Sequence, residues 1–260
     1  MPALIFDCDG VLADTERDGH LVAFNKTFEH FDLPIRWSVD DYAERLKIGG
    51  GKERLKSLLT DEFIAKANLP IDSALLDTEV AKWHKHKTAI YTELVQQGVL
   101  PARPGIKRIV TEAKNAGWIL AVASTSHENS VRAVLEHAVG KDLASSFTIF
   151  AGDIVPKKKP APDIYLLAIE KLNLIPQEVI VVEDSSNGLR AAIAAGLKTI
   201  VTISSYTAEE DFTGASLVVS SLGDKLVEKS VIVKNPLNLV IEDEVKISDL
   251  NQILKIPAVV

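Results

Sequence analysis

The 260-residue chain is 47% hydrophobic, carries a net charge of −7 and has a single cysteine, Cys8. That composition supports a sizeable core and excludes global disorder. The acidic balance argues against a nucleic-acid partner, and a lone cysteine excludes an intramolecular disulfide and fits a reducing compartment.

The first element is a buried strand, ALIF at 3–6, which runs straight into Asp7 and Asp9. A strand starting by about residue 3 leaves no room for a leader, and no apolar run approaches the roughly 18 residues of a membrane span. The expectation is a cytoplasmic protein without a membrane partner, or a mature stromal form whose transit peptide was removed. Residues 16–97 then break any strand rhythm. They read as helices, among them ERDGHLVAFNKTFEHF, VDDYAERL, GKERLKSLL and TEVAKWHKHKTAIYTELVQQG, and predict an inserted all-helical cap domain. LPARPG at 100–105 marks the return to the core.

From there strands and helices alternate. The strand-like runs are WILAVAS (118–124), FTIFAG (147–152), VIVVED (179–184) and KTIVTI (198–203); IKRIVTEAKNAG (106–117), DIYLLAIEKLN (163–173) and SNGLRAAIAAG (186–196) are amphipathic. Nearly continuous hydrophobicity in the strands is the mark of a parallel sheet covered on both faces. The fold class is therefore α/β, a Rossmann-like doubly wound parallel sheet. The domains are a core of 1–15 and 98–223, a helical cap of 16–97, and a C-terminal extension of 224–260. The extension carries one strand-like run (231–234) and one helical pattern (247–254), and no role is assigned to it.

Open parallel sheets bind ligands at the carboxyl ends of their strands. The first strand leaves Asp7 and Asp9 there, the second Ser124, Thr125 and Ser126, the fourth Glu183 and Asp184, and the loop after the third carries Lys157, Lys158 and Lys159. Taken singly, these are an acidic turn, a helix cap, a solvated charge run and a turn with a cap. Together they form one edge. Two unit charges about 4 Å apart repel by about 4 kcal/mol at an effective dielectric near 20, so clustered carboxylates call for a cation. An all-oxygen donor set selects Mg²⁺, and a lysine adds a point charge for phosphate. The hydroxyls at 124–126 are expected where the next helix begins, a favourable place for an anion. One carboxylate is then left to attack phosphorus. Cys8 points away from its aspartate neighbours and reads as buried filler.

The stretches DCDG, AST, KKKPAPD and VVEDSSNG resemble the four motifs of the haloacid dehalogenase superfamily, and the resemblance runs to about residue 222. It implies Asp7 as nucleophile and Asp9 as general acid and then base. It also implies Mg²⁺ held by the carboxylates of Asp7 and Asp184 and the backbone carbonyl of Asp9, with Glu183 holding a metal-bound water. Ser124 and Lys159 would hold the transferring phosphoryl group, with Thr125 and Ser126 beside them. Asp9 must switch between protonated and ionised forms, and neighbouring like charges favour that by raising a carboxyl pKa.

The helical insertion resembles that of the β-phosphoglucomutase-like subgroup. TERDGHLVAFN, LKIGGGKERL and PKKKPAPDIY narrow the likeness to the CbbY proteins, plant and cyanobacterial members included. That resemblance implies hydrolysis of xylulose-1,5-bisphosphate, a misfire product that inhibits Rubisco. Gly50, Gly51, Lys52 and Arg54 would take the second phosphate, and Glu16 and His20 the sugar hydroxyls. His30, His84, His86, His127 and His137 read as ordinary histidines. Val11 stands where many superfamily phosphatases carry Thr, as it does in many mutases, so this motif does not separate the two chemistries. The alternatives are a β-phosphoglucomutase-type mutase, another small-phosphate phosphatase such as one for phosphoglycolate, and a catalytically dead binding protein. The last is disfavoured because all the motif carboxylates are present. The expected partner is a small sugar bisphosphate, and the expected state a monomer.

Overall fold

A computed structural model describes residues 1–256. Its chain divides into two compact units, Met1–Asp14 with Pro101–Val260, and Thr15–Leu100.

The first unit is built on a seven-stranded sheet. The strands are β1 (Ala3–Phe6), β2 (Ile119–Ser124), β3 (Phe147–Ala151), β4 (Val179–Glu183), β5 (Lys198–Thr202), β6 (Leu217–Val219) and β7 (Ile232–Lys234), in the order β3-β2-β1-β4-β5-β6-β7. Every pairing is parallel except that of β7 with β6. The order reverses at β1, which lies between β2 and β4 with Phe6 opposite both Val122 and Val182. The residues that follow β1 thus open into the crevice at the topological switch point.

Alternation along β1 feeds both faces. Ala3 and Ile5 pack with Ala121, Ala123, Val179 and Val181 and with Ile164, Tyr165 and Ala168 of α9 (Asp163–Leu172). Leu4 and Phe6 are completely buried as well, so no polar side is left, as the unbroken hydrophobic run foretold. A side chain of this size contributes about 1.5–3 kcal/mol when buried. Among the described residues, six α-helices lie in this unit: α6 (Ile106–Asn115), α7 (Glu128–Val139), α8 (Lys141–Ala144), α9, α10 (Ser186–Ala194) and α11 (Ile247–Lys255).

The residues beyond 224 close this unit. Leu250 and Ile253 of α11 and the preceding Val245 are buried. Lys198 caps the helix by donating to the carbonyls of Ile253, Leu254 and Ile256 at 2.9, 2.7 and 2.6 Å, which places a cation on the helix's negative end. Strand β6 has no counterpart in the sequence reading.

The second unit is all-helical. A π-helical turn, Glu16–Leu21, leads into α1 (Val22–His30), followed by α2 (Val39–Leu46), α3 (Gly51–Lys56), α4 (Asp61–Lys66) and α5 (Ser73–Gln96). Ser38 and Asp41 form a capping box at α2, and Thr60 and Asp72 cap α4 and α5. Its core is aromatic: Phe24 and Phe28 meet Trp37 edge-on, with centroids 5.0 and 4.8 Å away. No described helix is long and apolar enough to cross a membrane.

Candidate active site

In the sheet unit, the end of each central strand supplies one piece. Asp7 continues β1, its N–H donating to the Val182 carbonyl at 2.9 Å. Glu183 ends β4 and Asp184 directly follows it. One carboxylate oxygen from each of Asp7, Glu183 and Asp184 lies within 4.8 Å of the others, and all three residues are buried. The ammonium of Lys159 reaches into the cluster and donates to Asp7 Oδ1 at 2.6 Å, Glu183 Oε1 at 2.6 Å and the Ala123 carbonyl at 2.9 Å.

The electrostatics follow from burial. Loss of water pushes the Asp7 carboxyl up to about 8; Lys159 pulls it down, while Glu183 and Asp9 push it up. Burial works against the charged form of Lys159 too, but Asp7 and Glu183 outweigh it and hold the ammonium well above its usual range. One lysine thus faces two carboxylates, with a third beside them. The donor set is carboxylate oxygen throughout, buried and in excess of the local positive charge. It fits a hard divalent cation.

Two glycines make room for this crowd. Gly10 sits at φ +79°, and a Cβ there would lie 2.0 Å from Asp184 Oδ2. A Cβ at Gly188, in the first turn of α10, would lie 2.0 Å from Glu183 Oε2. Both carboxylates are therefore seated against bare backbone. The Tyr165 hydroxyl donates to Glu183 Oε1, and Lys159 lies 5.0 Å from the Tyr165 ring centroid.

Asp9 lies outside the cluster of side chains. Its Oδ2 accepts from the Ser126 hydroxyl, so a carboxyl that continues β1 is oriented by the loop after β2. Ser124 is buried and its Oγ accepts from Ser126 N at 3.1 Å; Thr125 is half-buried between them. The expectation that these hydroxyls open the next helix is corrected here. Helix α7 begins at Glu128, and its cap is His127, whose Nδ1 accepts from Asn129 N at 3.2 Å. The 124–126 turn is thereby freed to bond within the loop and to Asp9. Of the three lysines, Lys157 is exposed, Lys158 pairs with Asp153 at 2.9 Å, and only Lys159 enters the cluster.

Within the helical unit the remaining candidates fall into three groups. Arg54 Nη1 lies 3.7 Å from Glu16 Oε2 and donates to Tyr42 Oη at 3.0 Å, while its Nε donates to the Ile48 carbonyl at 3.0 Å. Tyr42 in turn donates to Glu16. His20 is buried, stacks on Tyr91 at 3.9 Å and has Nδ1 2.5 Å from the ammonium of Lys87. Gly50, at φ +98°, is the N-cap of α3, and Gly51 and Lys52 open that helix.

The sequence reading missed Tyr165 and Lys87, and it did not single out Gly10 and Gly188 for the room they provide. Tyr165 and Gly188 do stand inside motif stretches, DIY and SSNG, where a faint signal existed. Lys87 sits unmarked in a lysine- and histidine-rich helical run.

Residues 1–196 match the family model described as haloacid dehalogenase-like hydrolase. The chain is 48% identical to a CBBY-like protein of Arabidopsis thaliana over 87% of this chain and 71% of that one. It is 43% identical to the plasmid-encoded protein CbbY of Cupriavidus necator over 86% and 87% of the two lengths. It is also similar to the crystal structure of a mutant CbbY from Rhodobacter sphaeroides in complex with xylulose-1,5-bisphosphate. There the TM-score is 0.76 and the identity 39%, covering 85% of this chain and 95% of the other.

Proposed function

The chain belongs to the haloacid dehalogenase-like hydrolases and is a phosphoric monoester hydrolase, and we propose that it is a Mg²⁺-dependent phosphatase that converts xylulose-1,5-bisphosphate to xylulose-5-phosphate through a phospho-aspartate. The observation that carries this reading is the buried meeting of Asp7, Glu183 and Asp184 with Lys159 at the end of β1. The named substrate is supported by the relative from Rhodobacter sphaeroides, whose structure holds xylulose-1,5-bisphosphate.

In this reading an Asp7 oxygen attacks the phosphorus in line with the sugar oxygen. The P–O bond to the sugar breaks as the P–O bond to Asp7 forms, and Asp9 delivers a proton to the leaving oxygen. Water then attacks the phospho-aspartate, Asp9 takes its proton back, and phosphate departs with Asp7 regenerated. The Ser126 hydroxyl keeps the Asp9 carboxyl aimed through both steps. Lys159 lies against Asp7 and would stabilise the charge of the phosphoryl oxygens, with Ser124 and Thr125 as further donors. Asp7, Asp184 and the Asp9 carbonyl would hold Mg²⁺, oriented from outside by Glu183. When bound, the ion supplies neutralisation of phosphoryl charge.

The second phosphate is assigned to Gly50, Gly51, Lys52 and Arg54 and the sugar hydroxyls to Glu16 and His20. Arg54 enters that role already held by Glu16 and Tyr42, which fixes its fork in one orientation. The test is phosphate release from five- and six-carbon sugar mono- and bisphosphates with Mg²⁺. Xylulose-1,5-bisphosphate is expected to be the best substrate, and Lys52→Ala to raise its KM about ten- to hundred-fold while barely moving KM for a monophosphate. Equal effects on both would remove the distal-phosphate assignment. Isomerisation of a hexose phosphate with little phosphate release would mark a mutase.

A further inference from the structure

Arg103 belongs to none of the motifs, yet its side chain reaches three distant stretches of the sheet unit. Its Nη1 donates to the Gly10 carbonyl at 2.9 Å, and its Nη2 donates to the Ile203 carbonyl at 2.7 Å and to that of Ser220. Its backbone N–H donates to the Leu12 carbonyl at 3.0 Å, beside the bridge between Ala13 and Ala102. All three acceptors of the guanidinium are backbone carbonyls. Ile203 and Ser220 directly follow β5 and β6, which are fixed in the sheet. Gly10 belongs to the turn that carries Asp9, and its Cα packs on the Asp184 carboxylate so closely that a Cβ would overlap it.

We propose that Arg103 is a positioning residue for the phosphatase reaction: it clamps the Gly10 peptide to the rigid ends of β5 and β6 and so sets Asp9 and Asp184 in register with Asp7. The proposal rests on the reading that those three aspartates carry the chemistry. A planar guanidinium with five donors in a fixed fork can hold three carbonyls at once, whereas an ammonium on a flexible stem cannot hold the same three in one plane.

A role through charge alone has the opposite sign, which makes the two separable. Arg103 lies within electrostatic reach of Asp14 and Asp184. Deleting its charge leaves the acidic cluster more negative, so by Coulomb's law alone the cluster would attract a cation more strongly. Loss of the clamp instead loosens the Gly10 turn, and the site would hold the cation more weakly.

The test compares Arg103→Ala, Arg103→Lys and Asp7→Asn with the unaltered chain. Calorimetric titration with Mg²⁺ alone, thermal melting, and kcat and KM on a sugar phosphate are measured for each. In Arg103→Ala, kcat is expected to fall about ten- to hundred-fold with KM nearly unchanged, the pattern of misplaced reacting groups rather than lost substrate contacts. Mg²⁺ affinity is expected to weaken, and free guanidinium ion at millimolar concentration to restore part of kcat in Arg103→Ala and none in Asp7→Asn. Arg103→Lys is expected to keep the charge yet recover only part of kcat, and it carries the test if the alanine variant does not fold. A normal kcat at saturating Mg²⁺ with only a lower melting temperature would overturn the proposal, as would tighter Mg²⁺ binding with kcat unchanged. Full turnover in Asp7→Asn would instead overturn the site reading beneath it.

Discussion

Replacing Gly188 with alanine sets two effects of known size against each other. Position 188 is the third residue of α10, where alanine is the better helix former by about 0.8–1 kcal/mol. Propensity alone therefore predicts a more stable protein. The new Cβ, however, would lie 2.0 Å from Glu183 Cδ and Oε2 and 2.1 Å from Oε1, where ordinary contact begins at 3.4 Å. The carboxylate must retreat by more than an ångström. The 2.6 Å bond from Lys159 and the bond from Tyr165 share the acceptor Oε1, so both are expected to break. Two bonds to a charged group cost about 1.5–3 kcal/mol each, and overpacking adds about 1–3. The net expectation is a loss of roughly 3–8 kcal/mol. Urea unfolding at neutral pH reads it as a lower midpoint at unchanged slope. Turnover should fall at least tenfold as well, because Lys159 loses one of its two carboxylate anchors. A variant as stable and active as the parent would show that Glu183 is not seated against bare backbone, and the picture of the cluster would be wrong.

Asp7→Asn should keep the fold and lose turnover entirely, measured by phosphate release beside a circular-dichroism melt; near-native activity would rule out the covalent route. Mg²⁺ affinity should depend on pH, since Asp7 is pushed up to about 8 by burial and must ionise to serve as a ligand. Below that value each pH unit should weaken Mg²⁺ binding about tenfold, with proton release on binding. The same shift acts on stability without metal. The folded pKa lies above the unfolded one, so this contribution is full below about pH 4 and declines as pH rises toward about 8. Mg²⁺ should therefore raise the melting temperature more at alkaline than at acidic pH, and a pH-independent increment would contradict the linkage. Ile253→Ala, at a fully buried position of α11, should cost about 2–5 kcal/mol in a denaturation curve with kcat of the folded protein unchanged. A cost well under 1 kcal/mol would mean that α11 does not share the core.

Much of the architecture was legible because it rests on short-range signals. ALIF and VIVV are unbroken apolar runs, which strands buried on both faces need, and KTIVT is rich in β-branched residues, so β1, β4 and β5 could be placed within a residue or two. Asp7, Glu183 and Asp184 were readable for a related reason: like charges at the ends of hydrophobic strands are costly unless something gathers them. The VDDYAERL pattern matches α2 at Val39–Leu46, whereas TEVAKWHKHKTAIYTELVQQG starts at Thr78, five residues after α5 begins at Ser73. His127 misled, because a histidine is an unusual cap and the serines before it are common ones. What local pattern cannot convey is reach across the chain. Charge alone does not tell Lys159 from Lys157 and Lys158; the resemblance of KKKPAPD singled it out, and the path of the loop after β3 gives the physical reason, burying the third and leaving the first in water. Arg103 stands in an unremarkable proline-glycine return, yet its partners are 93, 100 and 117 residues away.

The sequence by itself determined most of the elements, their order and the chemical kinds available at the sheet edge, since hydrophobic period and residue type act over a few neighbours. The tertiary structure decided which of those groups meet: that Lys159 bridges Asp7 and Glu183, that Ser126 holds Asp9, and that Gly10 and Gly188 leave the space two carboxylates fill. Distance in space governs charge and steric overlap, and only the packed chain fixes it.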